Sequence, residues 1–260
     1  MKEIARQKQL ETDTNDFIRK AHVTAKIHSA IEDGWRYTRK NIFEGYSELS
    51  KDKEFIVKYI NRYPAMYEYI SYELREDRDI LIALASSPLC IYVENPRDFN
   101  NRSISPLFFI LEEHNNRRVY KKTNRDGTKE VKEGEGFPFI VDEGDNSLKI
   151  NDIELILRAL KAELDSYEYS KKIEEKFGHI FSYDGIYLLD DLRKGKNVDF
   201  LDYMSLVTLQ FASTEILENE EYKKIIEGVI QQWVKEQKAN DENEKRKEES
   251  LSFDLYDITH

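Results

Sequence analysis

Residues 46–57, YSELSKDKEFIV, and residues 71–82, SYELREDRDILI, carry the same pattern at an offset of 25 residues. Glutamate, leucine, aspartate and a basic residue follow one another in the same order in both segments. An internal period of about 20 to 50 residues is typical of helical units that bury their apolar faces against one another. We therefore expect the region from Tyr46 to Tyr92 to contain two related helical units.

In each copy an aspartate, Asp52 or Asp77, stands before an apolar run. At this place an N-cap carboxylate accepts hydrogen bonds from the free N–H groups that begin a helix. The apolar residues that follow have helical spacing: Phe55, Ile56, Tyr59 and Ile60, then Ile80, Leu81, Leu84 and Ala85. Pro64 and Pro88 each suit the first turn of a short second helix. These second helices are predicted at residues 65–72 and 89–93.

The sequence of residues 51–84 resembles the DUF4116 repeat, a short helical module of unknown function. It reads KDKEFIVKYINRYPAMYEYISYELREDRDILIAL. Members of that family typically begin with Asp-Lys/Arg-Glu, continue with an apolar helix and a turn, and then repeat. The resemblance covers residues 46–92, about a fifth of the chain. Tyr63-Pro64 and Ser87-Pro88 depart from the family, which often has Asn-Gly or Asp-Gly there. The resemblance implies α-helical packing, and it implies no catalytic residues.

The rest of the chain is predicted to be helical around a small β insertion. Asp126-Gly127, between residues 118–122 and 128–132, is a strong hairpin signal. Residues 137–141 read as an edge strand, since Pro138 cannot donate to a central ladder. Asn151 with Glu154 forms a capping-box pattern. The remaining helices are predicted at 3–32, 35–46, Asn151 to near Gly178, 184–194 with Gly195 as its stop, from Asp199 onward, and 218–238.

We therefore predict a mainly α fold: a helical repeat-like N-terminal section, a small β-hairpin insertion and a C-terminal helical section. The predicted parts are residues 1–93 with two related 25-residue units, a loop-rich insertion with the hairpin at 94–147, a helical section at 148–239 and a polar tail at 240–260. The apolar end of the tail, residues 251–258, either docks on a surface or is disordered.

Net charge is -11, and it is unevenly distributed. Residues 1–141 contain 24 basic and 23 acidic residues, whereas residues 142–260 contain 16 and 28. An acidic surface repels nucleic acid and favours a basic partner, although it also occurs simply as a solvated surface. The sequence has no apolar run of the roughly 20 residues that span a bilayer. With one cysteine, Cys90, and no signal-peptide pattern, we expect a cytoplasmic protein without a membrane partner.

The sequence carries no recognisable catalytic, metal or cofactor motif, so we predict no catalytic, metal-binding or cofactor-binding residues and no cofactor. A metalloprotease H-E-x-x-H motif, a phosphate-binding P-loop and a G-x-S-x-G elbow are all missing. The acidic residues 142–146 lack calcium-loop spacing. Cys90 lies between aliphatic residues, which favours burial. An enzyme stays an alternative only if distant acids such as Asp184, Asp190 and Asp191 meet in a cleft.

Tyrosines and arginines alternate within the repeat and form our candidate partner-binding set. Tyrosines at such positions usually pack between units, but Tyr and Arg are also common anchors in protein interfaces, and aromatics with arginines also contact nucleic acid. We expect packing first, protein binding second and no direct nucleic-acid contact. The candidate residues are Tyr59, Arg62, Tyr63, Tyr67, Arg75 and Arg78.

These observations favour a non-enzymatic protein–protein interaction module that acts by binding a partner, and the excess acid favours a basic one. One alternative is an acidic inhibitor of a nucleic-acid-binding protein, of the phage or mobile-element anti-defence type. The second alternative is an enzyme whose acidic site the sequence does not display. The sequence does not determine the oligomeric state.

Overall fold

The computed structural model describes residues 2–32, 41–88, 90–92, 102–104, 107, 110–111, 139–141, 148–168, 171–172 and 184–258. Within these residues the fold is mainly α-helical, as predicted. The α-helices are α1 (Lys2–Glu32), α2 (Lys53–Ile60), α3 (Arg78–Ala85), α4 (Ile153–Asp165), α5 (Asp184–Arg193), α6 (Thr214–Glu218) and α7 (Glu220–Ile258). Short 3-10 helices lie at Ser47–Lys51, Pro64–Tyr69, Tyr72–Leu74, Phe200–Ser205 and Val207–Phe211.

The first helix of each repeat unit forms where the sequence predicts it, as α2 and α3. Every apolar residue assigned to the two stripes is buried. Pro64 begins a 3-10 helix in the first unit, also as predicted. The second unit differs, because its predicted helix at 89–93 is wrong and Cys90–Tyr92 is a strand instead. Isoleucine and tyrosine favour strands, and a paired strand is available.

Two short antiparallel strand pairs are present. Strand β1 (Cys90–Tyr92) pairs with β2 (Arg102–Ile104), and β3 (Phe139–Val141) pairs with β4 (Leu148–Ile150). Strand β3 confirms the described part of the edge strand predicted at 137–141. The hairpin predicted at 118–122 and 128–132 lies outside the described residues, as does the acidic stretch 142–146.

Helix α1 confirms the first predicted helix, and the side chains of Val23 and Ile27 in its C-terminal half are buried in the core. The helix predicted at 35–46 is wrong for its described part, where residues 42–45 form a turn. Gly45 has φ of +83°, a left-handed conformation that continues no helix. The Tyr46 N–H donates to the Phe43 carbonyl at 2.7 Å and closes this turn.

Helix α4 begins one residue later than predicted, because Asp152 rather than Asn151 is its N-cap. The Asn151 side chain instead accepts from the Ser213 hydroxyl at 2.7 Å and donates to Glu215 at 2.8 Å. The helix ends at Asp165, residues 167–168 and 171–172 are helical again, and the predicted end near Gly178 lies outside the described residues. Ser166 follows as its C-cap, and its hydroxyl donates back to the Ala162 carbonyl at 2.7 Å.

The later helices follow the predicted start and stop signals in part. Helix α5 ends just before Gly195, whose φ of +79° fits the predicted stop. The single helix predicted from Asp199 is instead two 3-10 helices that meet at Leu206. Helix α7 runs on to Ile258, past its predicted end at 238 and through the predicted start of the polar tail. Residues 239–250 contain no Gly or Pro and are rich in good helix formers, so polarity alone does not end the helix.

One hydrophobic core joins the N-terminal and C-terminal helical sections. Helix α3 packs against α2 on one side and α4 on the other, and α4 also packs against α7 and the 3-10 helix Val207–Phe211. Leu107, Ile110 and Leu111, from the predicted insertion, are helical and buried in the same core. The two helical sections therefore share one packed interior.

Glu163 is a fully buried carboxylate that starts the second of the two 3-10 helices. Its two oxygens accept from the backbone N–H groups of Val207 and Thr208, each at 2.8 Å. These N–H groups lie at a helix start, where the chain itself supplies no acceptor. The side chain of α4 therefore fixes the position of this segment.

We expect Glu163→Ala to lower the free energy of unfolding by about 3 kcal/mol, because each buried N–H that loses its acceptor costs about 1 to 3 kcal/mol. Glu163→Gln keeps one acceptor oxygen and should lose roughly half as much. Urea unfolding measures both, with the exposed Glu242→Ala as control, for which we expect a change within about 0.5 kcal/mol. A Glu163→Ala variant as stable as this control would contradict the assigned role.

Candidate functional site

The aspartates predicted as N-caps perform that function in the structure. The Asp52 carboxylate accepts from the Phe55 N–H at 3.0 Å. The Asp77 carboxylate accepts from the N–H groups of Asp79 and Ile80 at 3.0 and 3.4 Å. Each carboxylate thus satisfies backbone donors at the start of a helix and is well placed in the field of the helix dipole.

Each capping carboxylate also forms an ion pair with a basic residue of an earlier α-helix. Lys20 of α1 reaches Asp52 at 2.7 Å, and Lys53, the first residue of α2, reaches Asp77 at 2.8 Å. Arg78, the first residue of α3, reaches Asp152, the N-cap of α4, at 2.5 Å. We call these three contacts the capping ion pairs. They hold the N-terminal ends of α2, α3 and α4 side by side.

In two of the three capping ion pairs, the cation also contacts a second carboxylate two residues beyond the cap. Lys53 lies 2.7 Å from Asp79, and Arg78 lies 2.7 Å from Glu154. The same geometry therefore recurs at the α2–α3 and α3–α4 junctions. Sequence reasoning missed the second junction, because residues 94–147 separate Asp152 from the repeat. The signal that could have found it is an acidic cap, then an acid two residues on, then an aliphatic run.

The capping contacts shift the pKa values of Asp52, Asp77 and Arg78. Burial alone raises the pKa of Asp52, but the Lys20 ammonium and the Phe55 N–H outweigh it, so that the pKa is lowered. Burial also raises the pKa of Asp77, but Lys53 and the Ile80 N–H together outweigh burial, so that the pKa is lowered. Hydrogen bonds to Asp152 and Glu154 raise the pKa of the Arg78 guanidinium.

The three candidate tyrosines are packing residues. Tyr59 is 7% exposed, and Tyr63 and Tyr67 are 0% exposed. Burial raises the pKa of Tyr63 to about 12. The Tyr67 hydroxyl donates to the Arg75 carbonyl at 2.8 Å. The first interpretation of the sequence, packing between units, therefore describes their positions, and their use as surface anchors for a partner does not fit the structure.

The three candidate arginines have separate roles. Arg75 donates to the carbonyls of Ile70 and Glu68 at 3.1 and 2.6 Å, and so fixes the backbone of its own unit. Arg78 belongs to the capping ion pairs. Arg62 is exposed. The predicted set therefore does not form a single partner-binding surface.

A groove of about 750 Å³ lies between α2 and α3 on the outside of the repeat. Aliphatic side chains form its middle and charged side chains of both signs surround them. Its lining residues are Lys53, Glu54, Val57, Lys58, Asp79, Ile82 and Ala83. Val57, Ile82 and Ala83 are only partly buried, so the groove presents apolar surface to solvent. Sequence reasoning passed over these residues in favour of the tyrosines.

The acids of the enzyme alternative do not meet in a cleft among the residues with described side chains. Asp190 accepts from the Tyr167 hydroxyl and lies 3.0 Å from the Lys171 ammonium. Burial raises the pKa of Asp190, but these two partners outweigh it and lower the pKa. Asp191 pairs with Lys196 at 2.8 Å. The side chains of Asp184 and Cys90 lie outside the described part.

Within the described ranges, no group of three or more His, Cys, Asp and Glu side chains is arranged to hold a metal ion. In the same part of the chain, no helix is both long enough and apolar enough to cross a bilayer.

The family model of DUF4116, a domain of unknown function, matches residues 52–93. The match begins at the capping Asp52 and includes α2, α3 and β1, so the resemblance read from the sequence is confirmed for this segment. A search of curated proteins and a search of solved structures each found no match to the chain.

The lowered pKa values of Asp52 and Asp77 make stability depend on pH. Because both pKa values lie below those of the unfolded chain, the stability that they add is present above about pH 4. This stability is lost as the pH falls through the folded-state pKa values. We expect the double variant D52N/D77N to flatten the decline of unfolding free energy between about pH 5 and pH 2.

The same variants separate capping from charge. Asparagine keeps a capping oxygen, so D52N/D77N should lose only about 0.2 to 1 kcal/mol per site at pH 7, whereas D52A/D77A should lose about 0.5 to 2 kcal/mol per site. Urea unfolding across the pH series measures both, and Asp165→Asn, an ion-paired carboxylate at the far end of α4, is the control. If D52N/D77N keeps the acid-induced decline of the unmodified chain, the ion pairs contribute nothing.

Proposed function

We propose that this chain is a non-enzymatic protein-binding module whose binding surface is the outer face of α2 and α3. The observation that carries the proposal is the groove between these helices, with an aliphatic middle and a charged border. An apolar centre inside a polar rim is the usual anatomy of a protein interface. The borders carry both signs of charge, from Lys53, Lys58, Glu54 and Asp79, and so provide orientation as well as contact area.

The framework around the groove supports this use. The tyrosines below it are buried and the caps fix both helix starts, so the exposed side chains stand on rigid elements. A rigid surface lowers the entropy lost on binding. We place the site in a cytoplasmic protein, and a partner with basic character suits the acidic excess of the chain.

The other two functions have less support. Asp165, Asp190 and Asp191 each pair with a nearby lysine, which weakens the continuous negative field that an acidic inhibitor of a nucleic-acid-binding protein needs. The same pairing gives Asp190 and Asp191 a structural role rather than a shared catalytic one. We therefore keep protein binding as the leading function.

The test is capture of partners from the native host by the immobilised full chain, compared across matched variants. Ala83→Arg fills the groove with a long basic side chain, as Lys58 is on the neighbouring helix. Ile82→Lys removes an aliphatic side chain from the middle of the groove, while the aliphatic stem of the lysine can still cover the surface below it. The control is Leu201→Lys, at an aliphatic side chain that is 80% exposed away from the groove.

We expect each groove variant to reduce capture of a specific partner at least about tenfold, which is about 1.4 kcal/mol, and the control to leave capture unchanged. Circular dichroism and urea unfolding confirm that all three variants are folded. Specific capture that both groove variants leave intact would overturn the proposal, and so would the absence of any specific partner.

A further inference from the structure

Helix α4 repeats the pattern of α2 and α3 position by position. Residues 152–161, DIELILRALK, align with residues 52–61, DKEFIVKYIN, and 77–86, DRDILIALAS, when the capping aspartate is the first position. In all three segments the fourth, fifth, eighth and ninth positions are buried and the sixth is half-buried. From the same burial register across the three helices we infer that α4 is a third unit of the repeat, beyond the matched residues 52–93.

The contacts between the helices agree with three equivalent units. Helix α3 packs between α2 and α4. Lys53 and Arg78, each at the second position of its unit, make the same two-carboxylate contact with the next unit. Ile153 takes the second position in α4, so the capping ion pairs end there. The third unit thus completes the array, and residues 94–147 form an insertion within it.

The outer face of the three helices carries three rows of side chains. Position three lies three residues before position six and four residues before position seven, so it shares a helix face with each of them. The acidic row is Glu54, Asp79 and Glu154; the aliphatic row is Val57, Ile82 and Leu157; the basic row is Lys58 and Arg158, with the small Ala83 between them. Val57 and Ile82 of the aliphatic row line the groove between α2 and α3, and the partly buried Leu157 takes the same position on α4.

Each border of the aliphatic row keeps a net charge. At each junction one cation faces two carboxylates: Lys53 faces Asp77 and Asp79, and Arg78 faces Asp152 and Glu154. The acidic border therefore stays negative. On the opposite border, Lys58 and Arg158 are exposed, and the nearest ion pair of Arg158, to Glu154, spans 3.9 Å.

We propose that this three-helix surface binds an amphipathic helical segment of a partner protein, with an aliphatic stripe between a row of cations and a row of anions. The inference rests on the proposed protein-binding function and specifies the partner. The cations would face the acidic row, and the anions would face Lys58 and Arg158. Neighbouring packed helices lie about 8 to 10 Å apart, so the distance across α2, α3 and α4 is roughly 16 to 20 Å. A helix of about 11 to 13 residues covers that distance.

The test uses three synthetic helical peptides that share one Leu/Ile stripe. In the mixed peptide one flank is lysine and the other is glutamate, whereas both flanks are lysine or both are glutamate in the two uniform peptides. Fluorescence anisotropy with the full chain measures their dissociation constants. We expect the mixed peptide to bind at least about fivefold tighter than either uniform one, and high salt to reduce this preference.

A charge-reversed variant places the binding on this surface. The double variant Lys58→Glu/Arg158→Glu leaves the capping ion pairs intact, and circular dichroism checks its fold. We expect its preference to move to the peptide with lysine on both flanks. The matched control is Lys235→Glu/Lys238→Glu, two exposed lysines on α7, which should keep the preference for the mixed peptide.

Three results would each overturn the inference. They are no binding of any peptide, equal binding of all three, and a preference for the mixed peptide that the Lys58→Glu/Arg158→Glu variant does not change. None of these results contradicts the proposed protein-binding function if the Ala83→Arg and Ile82→Lys variants still reduce capture of a host partner. Loss of that dependence, in contrast, removes the protein-binding function itself.

Discussion

The doubly engaged carboxylate at the start of α2, α3 and α4 is the constraint on which the arrangement of these helices depends. The carboxylates of Asp52, Asp77 and Asp152 accept hydrogen bonds from backbone N–H groups of their own helix. Each also forms an ion pair with a basic residue of α1, α2 or α3, respectively. A cap stabilises by about 0.5 to 2 kcal/mol and an exposed ion pair by about 1 kcal/mol or less. Each fully buried aliphatic side chain below them contributes about 1.5 to 3 kcal/mol. Burial therefore supplies most of the stability, and the capping contacts fix which helix ends meet.

Local signals let the sequence predict the caps and buried stripes of α2 and α3, because an N-cap depends on a few adjacent residues. The third unit was not predicted, because residues 94–147 separate it from the repeat and its cap ion pair joins Arg78 to Asp152 across that insertion. The strand at Cys90–Tyr92 depends on pairing with Arg102–Ile104, a tertiary contact that overrides the helical pattern of the first unit. The predicted end of α7 at residue 238 was wrong because it relied on the loss of apolar residues. Good helix formers extend an existing helix without an apolar face.

The sequence predicted a candidate site of tyrosines and arginines, whereas the candidate groove in the structure has aliphatic side chains at its centre, and the difference has a physical reason. Tyrosines are large enough to fill the space between units, so Tyr59, Tyr63 and Tyr67 are used in the core. Residues at the edge of the stripe, such as Val57, Ile82 and Leu157, are left half-exposed on the outer face. Periodicity predicts which face of a helix is apolar, but the neighbouring helices decide which of its residues solvent still reaches. The location of the proposed binding surface therefore follows from packing.

The central claim is that α2, α3 and α4 are three units of one array, and amide hydrogen exchange tests it most directly. Mass spectrometry of exchange across a urea series gives an opening free energy for each helix. We predict that residues 53–60, 78–85 and 153–165 open with the same free energy, and that Asp77→Ala lowers it equally in all three. If α4 keeps its opening free energy while those of α2 and α3 fall, α4 is not a unit of the array.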